Sequence, residues 1–333
     1  MLITRGYKRG VRLAEVPMPE RSEVTLPDGV RLFVETSGPA EAPVTVILLH
    51  GWCLDRRIWH HQVQALGDVR VVAYDARGHG RSSATLLESA TLPQLGADLA
   101  EVIRVAAPEG PIVLVGHSLG GMTIMEYAAE HPEDFTDRVA GLALISTTAE
   151  GHTHTRYGLP GQLSTLLRYG ETIGAGVLAR CGAWRPHQAM LPVLRPSVRW
   201  LLFGEECDDA ALTVTMRAVG RATLRSIGGF RPTIGAQQRL ETLAAWNGVP
   251  SAVLVGDRDR LTPPACAESI AAHLPGAELS VLPDAGHMLM LERPEAVTAT
   301  LRDVICRATG TMPIERGRAG RRSPAPTDLD AAA

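Results

Sequence analysis

Six short stretches of the chain are almost continuously apolar: VTVILL (44–49), VRVVAYD (69–75), IVLVG (112–116), VAGLALIS (139–146), SAVLVGD (251–257) and ELSVLPD (278–284). Such runs are too short for helices and rich in β-branched residues, so they predict strands buried on both faces of a parallel sheet. Helical patterning separates most of them; residues 119–131 form one such stretch, with Pro132 placed to stop it. Upstream, EVTLPDGVRLFVET (23–36) alternates about a Pro-Asp-Gly turn and predicts a β-hairpin. Strands alternating with helices predict an α/β fold with a doubly wound, mostly parallel sheet.

The rhythm fails between about Thr148 and Gln238. Only helix-like pieces occur there, among them QLSTLLRYG, TIGAGVLARCGAW and AMLPVLRPSVRWLLFG. A helical block inserted after one strand of a parallel sheet is expected to form a cap over the strand ends. The chain therefore divides into an N-terminal extension (1–22), a first part of the core (23–148), a helical cap (149–238) and a second part of the core (239–309). Residues 310–333 are rich in Arg, Pro, Ala and Gly with little to bury, and are expected to be a disordered tail.

Composition narrows the partners. The chain has 333 residues, 45% of them hydrophobic and 21% charged, a balance that rules out disorder of the whole chain. Its 33 basic and 36 acidic residues are interspersed, which argues against a nucleic-acid partner. Five cysteines, odd in number and never spaced C-x-x-C, support neither a zinc ribbon nor a disulfide framework, so a reducing compartment is expected. The first twenty residues lack the apolar run of a secretory signal, and nowhere do eighteen apolar residues run together. A cytoplasmic protein without a membrane span is the expectation.

The chemistry centres on Gly116-His117-Ser118-Leu119-Gly120. A G-x-S-x-G match arises by chance in glycine-rich chains; its setting between a strand (IVLV) and a helix (MTIMEYAAEH) is what gives it weight. There a serine is held on a tight turn above the sheet, and flanking glycines are needed because a Cβ would clash at so sharp a bend. A serine hydroxyl needs a base, itself oriented by an acid. Two histidines follow the strand at 251–256: His273, at an expected helix end, and His287, on a strand-end loop that should face the edge carrying Ser118. His287 is the favoured base. Asp257 and Asp259 both follow that strand, two residues apart, so strand alternation does not choose between them.

Over residues 24–307 the chain resembles a capped member of the α/β-hydrolase superfamily, of the serine esterase and lipase kind. The family pattern Gly-x-x-Asp with proline four residues on is met by Gly256, Asp259 and Pro263, which implies Asp259 as the triad acid. Asp257 would then hold the loop, with Arg258 or Arg260 as partner. Relatives that place the acid after the preceding strand would point to Glu150 instead. The oxyanion donors implied are the backbone N–H groups of Leu119 and, from the His50-Gly51-Trp52 turn, of Trp52, whose indole would then be free to line a pocket. His50 and His117 are expected to be architectural, as are Asp75 and Arg77 of the YDARGHGRSS loop. No cofactor and no metal is implied.

The implied function is a serine hydrolase that cleaves a small-molecule carboxylic ester with an apolar acyl or alkyl group through a Ser118–His287–Asp259 triad and an acyl-enzyme. Serine at 118 disfavours epoxide hydrolases and haloalkane dehalogenases, which use aspartate there. Met288 after His287 lowers a C–C bond hydrolase, and His117 and Leu119 around Ser118 lower a cofactor-free haloperoxidase or perhydrolase. A lactone or C–C bond hydrolase is the alternative, with a non-catalytic ligand-binding relic behind it. Trp184, Met190, Leu191, Trp200, Leu201, Phe203, Met216 and Phe230 are candidates to face a pocket or to pack the cap against itself. The oligomeric state is not legible.

Overall fold

The computed structural model describes residues 19–310 apart from 156, 158 and 247; the expected tail and most of the N-terminal extension lie outside the described residues. Among the described residues eight strands form one sheet: β1 (Glu20–Thr25), β2 (Arg31–Ser37), β3 (Thr45–Leu49), β4 (Arg70–Tyr74), β5 (Ile112–His117), β6 (Val139–Ile145), β7 (Ser251–Gly256) and β8 (Glu278–Leu282). Their order is β1-β2-β4-β3-β5-β6-β7-β8. The expected hairpin is β1–β2, antiparallel, beginning three residues earlier than its alternation suggests. β2 also runs antiparallel to β4, and every later pairing is parallel.

The unbroken apolar runs have a direct cause. Successive strand residues face opposite sides of the sheet, and here both sides are core. Ile47, Leu114, Leu144 and Val253 pack in one cluster, with the helices Leu92–Ala106 and Leu119–Glu130. Their neighbours Leu48, Val115, Ile145 and Leu254 pack in a second cluster, with the helix Pro294–Thr309. β8 departs from the expectation of a strand buried on both faces. Among the described residues it pairs with β7 alone, and as an edge strand it leaves Leu279 and Val281 exposed. The helix expected to stop before Pro132 ends at Glu130, and Pro132 also opens the next one, Pro132–Arg138, where a missing N–H costs nothing.

Between β6 and β7 no strand occurs among the described residues. The chain there forms helices Gly161–Arg180, Leu191–Leu202, Asp209–Val219, Leu224–Gly229, Arg231–Ala236 and Leu240–Ala244. Phe203 and Phe230 of this insertion are buried in the two body clusters and anchor it from below. Polar ties add to them: Ser226 Oγ donates to the Gly78 carbonyl at 2.8 Å, and Arg260 Nη1 donates to the Trp200 carbonyl at 2.7 Å. Because β3, β5, β7 and β8 are parallel, the loops that follow them open on one edge of the sheet. That edge receives the insertion, and it carries the candidate site residues Ser118, Asp259 and His287.

Candidate active site

Between residues 112 and 128 every residue is buried except Ser118, which is half-exposed. It stands between β5 and the helix Leu119–Glu130 with φ 53° and ψ −115°, a left-handed backbone that costs a non-glycine residue strain. The turn is pinned by Ser118 N–H to the Ile145 carbonyl (3.0 Å) and by Thr147 Oγ1 to the Ser118 carbonyl (2.7 Å). A Cβ on Gly116 would fall 2.5 Å from the Gly121 nitrogen, and one on Gly120 would fall 2.5 Å from the Leu49 carbonyl oxygen. Both flanking glycines are therefore required by close backbone approach.

Asp259 and His287 meet. Asp259 follows β7 and His287 follows β8; both are buried, and His287 Nδ1 lies 2.8 Å from Asp259 Oδ2. A carboxylate only accepts, so Nδ1 carries the proton and Nε2 is left basic. Asp259 also accepts from the N–H groups of Leu261 and Thr262, each at 2.9 Å, and from Thr262 Oγ1 at 2.9 Å. The competing acids sit elsewhere. Asp257 is partly exposed, with Arg258 at 3.9 Å as its ion-pair partner, and Arg260 turns instead to the Trp200 and Phe203 carbonyls. Glu150 accepts from Ser269 and bonds to His154. His273, at its helix end, is exposed and bonds to the Ser269 carbonyl.

The His287 loop is held from behind by Glu292, whose carboxylate accepts from the N–H groups of Gly204 (2.8 Å), Gly286 (3.0 Å) and Met288 (3.0 Å). Burial pushes this carboxyl above its ordinary range despite those three donors. His117 reaches the His287 carbonyl through Nε2 at 2.9 Å. His50 accepts from the Ala76 N–H through Nε2 and therefore donates Nδ1–H to the Gly51 carbonyl, which ties the β3 loop to the β4 loop. Burial lowers both histidines, so both are neutral scaffolding. Asp75 and Arg77 are likewise buried in ion pairs, with Arg56 and with Asp98.

Ser118 and His287 border one cavity of about 660 Å³, between the sheet edge and the helical insertion. Leu119 and Trp52 line it as well, and neither backbone N–H has an acceptor among the described residues. The Trp52 indole lines the wall and donates to the Ser226 carbonyl at 3.1 Å. Of the eight apolar candidates in the insertion, Trp200 and Leu201 reach the cavity. Phe203, Met216 and Phe230 are core residues, Leu191 packs on the second cluster, and Trp184 and Met190 face outward. A model of the alpha/beta hydrolase family matches residues 46–300 of the 333.

The chain belongs to the alpha/beta hydrolase family. An esterase from Thermogutta terrifontis superposes with a TM-score of 0.68 at 26% identity, over 87% of this chain and 99% of that one. Proline iminopeptidase PfmaB of Pestalotiopsis fici is 27% identical over 289 residues, 83% of this chain and 96% of its own. The bifunctional esterase/perhydrolase DCH of Acinetobacter calcoaceticus is 38% identical over 125 residues, 37% of this chain and 43% of its own. These relatives make the protein an enzyme of the hydrolase kind. Their names cover different bonds, so the bond cleaved has to be argued from the site.

Sequence reasoning missed two features of this alpha/beta hydrolase's site. The first is Thr262, bonded to Asp259 and 3.3 Å from His287 Nδ1; its spacing three residues after an aspartate was the available signal. Thr262→Val is expected to lower kcat/KM about tenfold, since a hydrogen bond to a charged carboxylate is worth about 1.5 kcal/mol. Steady-state rates on one activated ester check this, and an unchanged kcat/KM would contradict it.

The second feature is a polar cluster on the cavity wall: His152, Tyr157, Glu171 and Arg231. Burial and the Arg231 charge push His152 down to about 4. The unfolded chain therefore takes up this proton first on acidification. Stability that depends on the neutral ring is present above the ordinary value of 6.5 and is lost as pH falls toward about 4. His152→Gln should thus show a smaller drop in melting temperature than the wild type between neutral and mildly acidic pH. Parallel pH profiles of the two proteins would contradict this.

Proposed function

We propose that this enzyme hydrolyses carboxylic esters with an apolar acyl or alkyl group through an acyl-enzyme on Ser118. The observation that carries the reading is the Asp259–His287 hydrogen bond beside a strained, half-exposed serine in the same cavity. Ser118 Oγ attacks the ester carbonyl while His287 Nε2 takes its proton, and Asp259 steadies the imidazolium that forms. Negative charge grows on the carbonyl oxygen, and the N–H groups of Leu119 and Trp52, which have no acceptor among the described residues, are the donors proposed to meet it. Leu119 opens its helix, whose dipole adds positive potential. His287 then returns the proton to the leaving alkoxide. Water repeats the sequence on the acyl-enzyme, and the free acid departs.

The helical insertion acts as the cap of this reading and supplies the apolar wall, with Val198, Trp200 and Leu201 among its residues. A fluorophosphonate probe tests the nucleophile: one equivalent should attach to the wild type and none to Ser118→Ala. A panel of activated acyl esters and lactones then tests the substrate class, with apolar acyl esters expected to be turned over. No labelling together with no turnover of any ester would overturn the proposal.

A further inference from the structure

The cavity wall of this enzyme is mainly apolar, yet it contains a nine-tenths-buried arginine that ester hydrolysis does not call for. Arg231 opens the short helix Arg231–Ala236 and borders the cavity. Its Nη1 donates to His152 Nε2, and its Nη2 donates to Tyr157 Oη and to Glu171 Oε2. Tyr157 Oη in turn donates to Glu171 Oε2 at 3.0 Å. A guanidinium has five N–H donors. Three have the partners named, and the Nε–H and the second Nη1–H have no acceptor among the described residues. The guanidinium carbon lies 5.7 Å from the centre of the Trp52 ring, one side chain away from an amide proposed to hold the scissile carbonyl oxygen.

If the cluster served only to tie the insertion together, an apolar contact would do so at lower cost, because burying an ion pair carries a desolvation penalty of several kcal/mol per ion. Unfilled donors on a residue that lines a mainly apolar cavity call for an acceptor. The charge balance says which kind. Glu171 already neutralises Arg231, and His152 is neutral at ordinary pH. A substrate carboxylate would therefore face Glu171 across the same guanidinium, whereas a neutral carbonyl would not.

Resting on the ester-hydrolase reading, we propose that Arg231 is a specificity residue. It donates an N–H to a second, neutral carbonyl oxygen, of a ketone or amide, that the substrate carries a few bonds from its scissile ester. The natural substrates are then oxo- or amido-substituted esters, with their alkyl portion against the Trp200 and Leu201 wall.

The test compares the p-nitrophenyl ester of heptanoic acid with its keto analogues, in which one chain methylene is replaced by a carbonyl. The best keto ester should exceed the parent about tenfold in kcat/KM, and Arg231→Met should bring the ratio to within about twofold of unity. The ratio is taken on one sample, so a smaller folded fraction cancels. A ratio near one at every keto position, or a ratio unchanged in Arg231→Met, would overturn the inference. So would a preference for a carboxylate-tipped chain over the keto chain. Calorimetric binding of heptanamide and its keto analogue to Ser118→Ala reads the same preference without turnover. Tighter keto binding with no ester cleaved would sink the ester reading alone; equal affinities would sink the role of Arg231.

Discussion

Ser118→Ala is expected to lower ester turnover about a millionfold, the typical cost of losing a triad nucleophile, with little change in melting temperature. The variant keeps a β-carbon at φ 53°, so the turn gains no new strain, and the Ser118 backbone bonds to Ile145 and Thr147 do not involve the lost hydroxyl. Turnover and thermal unfolding of the purified variant check both halves. Retention of more than a few per cent of activity would reject covalent catalysis at this residue.

Asp259→Asn carries the second-largest expected effect, about ten-thousandfold in kcat on the precedent of a comparable triad. The geometry gives the reason. An asparagine oxygen facing the N–H groups of Leu261 and Thr262 would turn its NH2 toward Thr262 Oγ1 and His287 Nδ1. Nδ1 would then have to accept, Nε2 would carry the proton, and the ring would have no lone pair for the Ser118 proton. Asp257→Asn removes only a long, partly exposed contact to Arg258, a kind of pair worth little, and should keep most turnover. Rates of the two variants on one activated ester, normalised to folded protein, decide between them. A dead Asp257→Asn beside an active Asp259→Asn would contradict the assignment.

Much of the fold was legible because its causes are local. Strands buried on both faces must be apolar at every position, which is why β3, β5, β6 and β7 stand out as unbroken runs. The turn at Ser118 announces itself through glycines that backbone proximity makes obligatory. Edge position leaves no such mark, and β8 reads like its buried neighbours although its side chains are largely exposed. Alternation left Asp257 and Asp259 undecided, since residues two apart share a side, and the family pattern was needed to choose. The cavity wall was the least legible part. His152, Tyr157, Glu171 and Arg231 are scattered over eighty residues of helices and loops, and only tertiary packing brings them to one guanidinium. For the same reason the apolar residues of the insertion did not sort themselves: Trp200 faces the cavity, while Trp184, on similar local grounds, faces outward.

The central claim is a covalent acyl intermediate on one named oxygen, and a rapid-quench experiment addresses it most directly. Enzyme mixed with an activated apolar ester is quenched in acid within the first turnover, digested and mapped by mass spectrometry. The account predicts an added acyl mass on the peptide containing Ser118, rising with the released alcohol and absent from Ser118→Ala. Alcohol release accompanied by acylation at any other residue, such as the cavity-lining Cys53, and none at Ser118 would contradict it.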